Sequence, residues 1–343
     1  MQVELIKKYQ ETFETTQNSL KENSEWINRY AGYADMFKKN EEAFLKHLDT
    51  LNNALNLKPT SHLALYLTTS RIKKTKLCFD LRFRGQSIAE ISPVKNDKYN
   101  VKFAKDKKGR NRNEVKENAD DFTCMPIDLL KELNKRLNNE DIEHNKEHLI
   151  ESVLLGNFSL PDAAGKCFKG IQPIKYAGCR FAMPTPFSAS KAKDGKVKYS
   201  GFRGGSIDIF TRTTGKHISV IELKDESAEE EAKELPEDAI RQAIVYATFI
   251  RELLRTPKAK SDDWYDIFGF TSNVPKKLNI KTIIAMPYSD KNSTSFKNIK
   301  LNFPESGDTL ELHYFYFDKD LKQKAITSLK ELNRVDKNDN HNS

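Results

Sequence analysis

Residues 204–224, GGSIDIFTRTTGKHISVIELK, carry the reading on which the fold turns. Two short strands are predicted, Ser206 to Arg212 and His217 to Lys224, joined at Thr214-Gly215-Lys216. Side chains alternate faces along a strand, so Ser206, Asp208 and Phe210 share one face of the first. Ile218, Val220, Glu222 and Lys224 share a face of the second, while Ile221 and Leu223 point the other way. Paired as a hairpin, the strands would set Asp208 across from Glu222 and Lys224, at the rim of a buried layer. Two carboxylates and a lysine there suit a divalent cation with an amine beside it. The plain alternative is a cross-strand ion pair on a solvated face, worth well under about 1 kcal/mol.

Outward from this stretch, composition sets the bounds. The chain has 343 residues, 38% hydrophobic and 10% aromatic, enough for a sizeable core and too apolar for a disordered chain. MQVELIKKYQ lacks the basic-then-apolar plan of a signal peptide, and no apolar run approaches the roughly 18–20 residues of a membrane helix. Cys78, Cys124, Cys167 and Cys179 are scattered, with no C-x-x-C spacing, so they read as thiols of a reducing compartment. A cytoplasmic protein with no membrane partner is expected. The net charge is +8, concentrated in 71–110 (13 basic, 4 acidic) and 160–205 (9 basic, 2 acidic). Basic surface favours a polyanion through counterion release, although lysine clusters also serve solubility. Residues 225–238 are the reverse, 1 basic and 8 acidic.

Before the organising stretch, residues 1–56 repeat apolar positions at three and four (Tyr30, Tyr33, Met36, Phe37; Phe44, Leu45, Leu48, Leu51, Leu55), predicting helices of scaffold or interface type. LALYLT, KLCFDLRFRGQSIAEIS and KYNVKF follow as strand-like runs. In Leu77–Gly85, Leu77, Phe79, Leu81 and Phe83 alternate with Cys78, Asp80, Arg82 and Arg84, giving one core face and one face with arginines. Residues 105–121 have no apolar period and mark a boundary. Helices return in 126–156, the second carrying Leu149, Ile150, Val153 and Leu154 as a stripe beside Glu147 and Glu151. After Lys224, the acidic run DESAEEEAKE is expected as a solvated loop on the far side of the sheet. Pro236 then opens an apolar helix to Leu254, with Gln242 and Tyr246 one turn apart on one face. Two strand-like runs, 280–287 and 310–317, come last, with a disordered tail expected over 333–343.

The order helix with Glu147 or Glu151, strand with Asp208, strand with Glu222-x-Lys224, helix with Gln242-x-x-x-Tyr246, and further strand resembles the PD-(D/E)XK nuclease superfamily over about residues 140–290. The Q-x-x-x-Y element looks like the RecB-type, lambda-exonuclease-type and NucS-type branches. Ile207 stands where the family often has proline. The resemblance implies an α/β (α+β) fold with a restriction-endonuclease-like core, a mixed central sheet flanked by helices. With the boundary at 105–121, the chain divides into an N-terminal helical and β domain (1–120), expected to bind nucleic acid, and a nuclease-like domain (121–332). It further implies a Mg²⁺-dependent deoxyribonuclease, with Mn²⁺ able to substitute, acting in restriction, phage defence or repair. Asp208 and Glu222 would hold the metal; Lys224 would orient or deprotonate water; Gln242 and Tyr246 would support them; Glu147 would join, with Glu151 as the fallback. Arg82, Arg84 and Arg203 are the candidate nucleic-acid contacts. DNA is the expected partner, with RNA and a homodimer left open.

Two rivals come from other classes. A non-cleaving nucleic-acid-binding or scaffold protein could keep the same fold, although it would be expected to lose at least one of Asp208, Glu222, Lys224, Gln242 and Tyr246. His144-x-x-Glu147-His148 also matches the H-x-x-E-H pattern of inverted zinc peptidases, but Asn145 and Lys146 fill a middle that is apolar in those enzymes.

Overall fold

A computed structural model describes residues 2–58, 63–67, 77–103, 120–136, 146–159, 170–190, 192–201, 204–213, 217–225, 235–287, 299–317 and 330–331. Three helices come first: α1 (Gln2–Glu22), α2 (Glu25–Lys39) and α3 (Glu41–Ala54). Strands β1 (Leu63–Leu67), β2 (Phe79–Phe83), β3 (Gln86–Pro93), β4 (Tyr99–Phe103) and β5 (Phe122–Cys124) follow, then helices α4 (Pro126–Arg136) and α5 (Lys146–Phe158). Five short strands come next: β6 (Ile171–Pro173), β7 (Lys175–Tyr176), β8 (Cys179–Phe181), β9 (Phe187–Ser188) and β10 (Lys198–Tyr199). The organising pair is β11 (Ile209–Thr213) and β12 (Ile218–Leu223). Helices α6 (Pro236–Arg255) and α7 (Ser261–Ile267) precede β13 (Asn279–Pro287), β14 (Lys300–Phe303), β15 (Asp308–Phe317) and β16 (Lys330–Glu331). The class is α+β. Among the described residues, no helix is long and apolar enough to cross a membrane.

The organising pair lies inside a mixed sheet of order β14-β15-β13-β12-β11-β6. β6, β11 and β12 run antiparallel in succession, and β13 and β15 lie parallel to β12. Parallel strands connected by helices are covered on both faces and read as continuous apolar runs. β12 is buried at every position. Alternation then sorts the sheet into two cores. Ile209, Ile221 and Leu223 meet Ile150, Leu154 and Phe158 of α5 on one face. Phe210, Ile218 and Val220 share the other face with the apolar residues of α6.

Sixteen of the twenty residues of α6 are buried, because a second helical layer lies over it. Thr12 Oγ1 accepts from Arg241 Nε at 2.8 Å, and the Tyr9 hydroxyl donates to the Glu237 carbonyl at 3.1 Å. Trp26 and Tyr30 of α2 contact Phe249 edge-on, with centroids 5.9 and 4.8 Å away. The N-terminal helices therefore form scaffold over the helix that carries Gln242.

The other large sheet has the order β5-β4-β3-β2-β1-β8-β7. Its last two strands come from beyond residue 120, with β8 parallel to β1. The run 77–92 is broken by a turn at Arg84-Gly85, both left-handed (φ 50° and 83°), which folds β2 back on β3. The core face holds Phe79 and Leu81. The opposite face, with Ala64, Tyr66, Asp80, Arg82, Arg180 and Ala182, is not a solvent face. Tyr66, Ala64 and Ala182 join the apolar cluster around α5. Residues 105–119, most of the acidic run, and the 333–343 tail lie outside the described residues.

Candidate active site

Register decides the first question. Ile209 pairs with Ile221 and Phe210 with Val220, so one step further Asp208 stands opposite Glu222, on the face of Phe210 and Val220. Asp208 Oδ2 accepts the backbone N–H of Leu223 at 3.0 Å. Lys224, just past the end of β12, turns its ammonium back onto Glu222 Oε1 at 2.7 Å. The same ammonium lies 3.4 Å from Gln242 Oε1 on α6 and 3.9 Å from Glu147 Oε1 on α5. Thus one cation gathers side chains from both helices, one on each face of the sheet, at the end of β12. Of the two helical acids, Glu147 is the one that reaches it.

Charge in this cluster is unbalanced. Burial raises the Asp208 carboxyl well above the usual carboxylate range, and the charges of Glu222, Glu147 and Glu151 push the same way. Glu147 is pushed up to about 7, by burial first, with Lys224 opposing and Glu222 and Asp225 adding. Asp225, the first residue of the acidic run, is therefore felt at the site end of β12, while the rest of the run lies outside the described residues. Burial alone would lower the Lys224 ammonium, but Glu222, Glu147 and Asp208 outweigh it and hold the group protonated. Lys224 is accordingly held as a cation among the carboxylates. Glu222 is 5% exposed, and its Oε2 has no hydrogen-bond partner among the described residues. A buried carboxylate oxygen without a donor is costly, and a cation would satisfy it.

Tyr246 is buried one turn along α6, with its phenol raised by burial and by the charges of Glu222 and Asp208. A Cβ on Gly205 would come within 2.7 Å of its hydroxyl, so the glycine lets the strand entering Asp208 close over the tyrosine. Tyr246 therefore braces the approach to the site, while Gln242 touches Lys224.

The candidate nucleic-acid contacts fare differently. Arg82 does not stand on an open face: its Nε donates to Asp80 Oδ2 at 2.8 Å, its Nη1 lies 3.4 Å from Glu151 Oε1, and its guanidinium sits 4.0 Å from the Tyr66 ring centroid. The alternation was right, but α5 covers the face it identified. Arg84 occupies the β2–β3 turn, its guanidinium 5.2 Å from the Phe83 ring. Arg203 lies outside the described residues, as does His144 of the H-x-x-E-H pattern. His148 Nδ1 is 3.6 Å from Glu151 Oε2.

The sequence offers Glu151 only as the fallback acid, and it assigns no site role to Asp80, Tyr66 or Gly205. Glu151 is 5% exposed, between Arg82 and His148. The signal available for it was its place between Ile150 and Leu154 on an apolar stripe. Among the described residues, no group of three or more His, Cys, Asp or Glu gathers closely enough to cage a metal. Mg²⁺ does not require such a cage, since it is usually held by one or two carboxylates with waters and substrate phosphates. Asp208 and Glu222, with one oxygen of Glu222 lacking a donor, fit that mode. No protein-family model, curated protein or solved structure matches this chain.

Proposed function

We propose that the protein is a metal-dependent nuclease that hydrolyses phosphodiester bonds of DNA, with a restriction-endonuclease-like core formed by α5, β6, β11, β12, α6 and β13. The observation that carries the proposal is the convergence of Asp208, Glu222, Lys224, Gln242 and Glu147 at the end of one strand, with acid in excess of base. Asp208 and Glu222 would hold Mg²⁺ or Mn²⁺. When bound, such an ion polarises the phosphate and lowers the pKa of water. Lys224, held as an ammonium, offers its charge to oxygen developing negative charge on the phosphorus, where a fixed donor counts most. Gln242 limits the directions open to that ammonium, and Glu147 draws it toward α5.

Incubating the purified protein with plasmid, linear duplex and RNA, each with Mg²⁺ or with EDTA, tests the proposal. Cleavage of DNA that depends on the metal is expected. Metal-independent inertness toward every substrate sinks it. A second reading is a nucleic-acid-binding protein of the same fold that does not cleave. That reading predicts DNA retention with unchanged DNA length.

A further inference from the structure

The β2–β3 hairpin grips helix α5 at two points one turn apart. The first is steric. A Cβ on Gly85 would stand 2.0 Å from the His148 carbonyl oxygen, so the turn and the helix backbone touch where only glycine fits. The second is ionic, Arg82 Nη1 on Glu151 Oε1 at 3.4 Å. Arg82 is fixed from its own sheet: Asp80 takes its Nε at 2.8 Å, the Tyr66 ring lies beneath it, and the Ser87 hydroxyl holds the other Asp80 oxygen at 2.5 Å. A planar guanidinium held on its edge and its face defines a direction, which a lysine cannot do.

Glu147 stands immediately before His148 and one turn before Glu151, at the end of α5 that reaches Lys224. We infer that Arg82 is a positioning residue for the candidate active site: its pair with Glu151 seats α5 so that Glu147 meets Lys224 at the end of β12. The functional meaning rests on the nuclease reading; the geometry does not. Arg82 also pairs with a buried carboxylate whose charge is felt at Asp208. Its removal should both loosen α5 and leave a further negative charge beside the metal ligands. The arginine that alternation offers as a phosphate contact is thus turned inward, to the acid helix.

The test compares wild type, Arg82→Ala, Glu151→Gln and the double variant on duplex DNA with Mg²⁺. Arg82→Ala should lower kcat about 10- to 100-fold, the usual range for a partner behind the reacting groups, with KM near the wild-type value. Adding Glu151→Gln should recover part of that loss, because the stranded charge is gone. A loss confined to KM, with a flatter salt dependence, would make Arg82 a phosphate contact and overturn the inference; no recovery in the double variant also overturns it. If wild type leaves every nucleic acid intact, the nuclease reading fails by itself, and amide hydrogen exchange still tests the positioning. In Arg82→Lys, which keeps the charge and the stem, α5 amides from 147 onward should exchange faster than in wild type while those of β12 do not. Unchanged α5 protection overturns the inference, including where Arg82→Ala fails to fold.

Discussion

Asp208 and Asp308 are both acids at strand ends of the same sheet, one entering β11 and one opening β15, and their surroundings drive them in opposite directions. Asp308 is fully buried, yet it accepts from Arg251 Nε at 2.9 Å, from Arg255 Nη2 at 2.5 Å and from the Leu278 N–H at 2.8 Å. Burial alone would raise its carboxyl, but Arg255, Leu278, Ser306 and Arg251 hold it far below the usual carboxylate range. Asp208 has the Leu223 N–H against burial and three neighbouring carboxylates, and is raised. One cluster supplies enough donors for its buried charge and closes a joint between α6 and the β14–β15 turn. The other keeps acceptors in excess at a strand end reached by two helices. Burial of an acid is therefore a poor guide to function. The balance of donors around it discriminates better.

The largest expected effect attacks the joint. Asp308→Ala would leave Arg251 and Arg255 facing each other across a buried gap, and removing one partner of a buried pair costs about 3–5 kcal/mol. Chemical denaturation should show that loss, with DNA cleavage by the surviving folded protein retained. Asp208→Asn removes one of several like charges, so in EDTA it should be neutral or stabilising while cleavage is lost. If both substitutions destabilise alike, the two clusters do the same work and the contrast collapses.

Next is Lys224→Ala. Both carboxylates remain, so DNA and metal should still bind, while cleavage falls on the order of 100- to 1000-fold, about 3–4 kcal/mol of barrier. Single-turnover cleavage beside a binding isotherm separates the two. Wild-type cleavage by this variant would reduce Glu222 and Lys224 to an ion pair on a strand.

How much of this could be read beforehand follows from what periodicity can report. Alternation says which residues share a face, and it placed Asp208, Phe210, Val220 and Glu222 together correctly, as the register bears out. The i, i+4 spacing likewise put Gln242 and Tyr246 on one side of α6. Periodicity does not report what covers a face. Arg82 was assigned to an open face because nothing local marks α5 as its lid, sixty-nine residues away. Nor does it foresee non-local pairing: β8 joins β1 in parallel from over a hundred residues on. The Arg84-Gly85 turn lay unmarked within a run of strand formers, where glycine alone was the hint. The spacing sets Tyr246 one turn from Gln242, but its hydroxyl is set against Gly205, a contact that needs the loop before β11 in place.

A smaller effect is expected from Gln242→Ala. Gln242 touches Lys224 at 3.4 Å and Glu222 holds the same ammonium at 2.7 Å, so the cation stays when the amide goes. Loss of a supporting partner typically costs about 10- to 100-fold, below the Lys224→Ala loss. Cleavage as weak as that of Lys224→Ala would move Gln242 from support into direct contact with substrate.

The smallest effect is on the pH dependence of stability, and it tests whether burial or Lys224 decides the charge of Glu147. Its folded pKa is about 7, above the roughly 4.3 of an unfolded glutamate. The folded protein then binds more protons than the unfolded chain between those values. Stability contributed by protonated Glu147 is complete below about 4.3 and is lost as pH rises toward 7. Asp308 has the opposite sign, because its lowered pKa contributes stability above the ordinary aspartate range and loses it only on strong acidification. In EDTA, urea midpoints measured from pH 4.5 to 7.5 should therefore fall with pH, and Glu147→Gln should reduce that slope. Glu147 is about one-third exposed, so solvent screening keeps the change modest. Asp308→Asn should lower every midpoint in that range without altering the slope. An unchanged slope in Glu147→Gln would mean that Lys224 outweighs burial and keeps Glu147 ionised in the folded protein across that range.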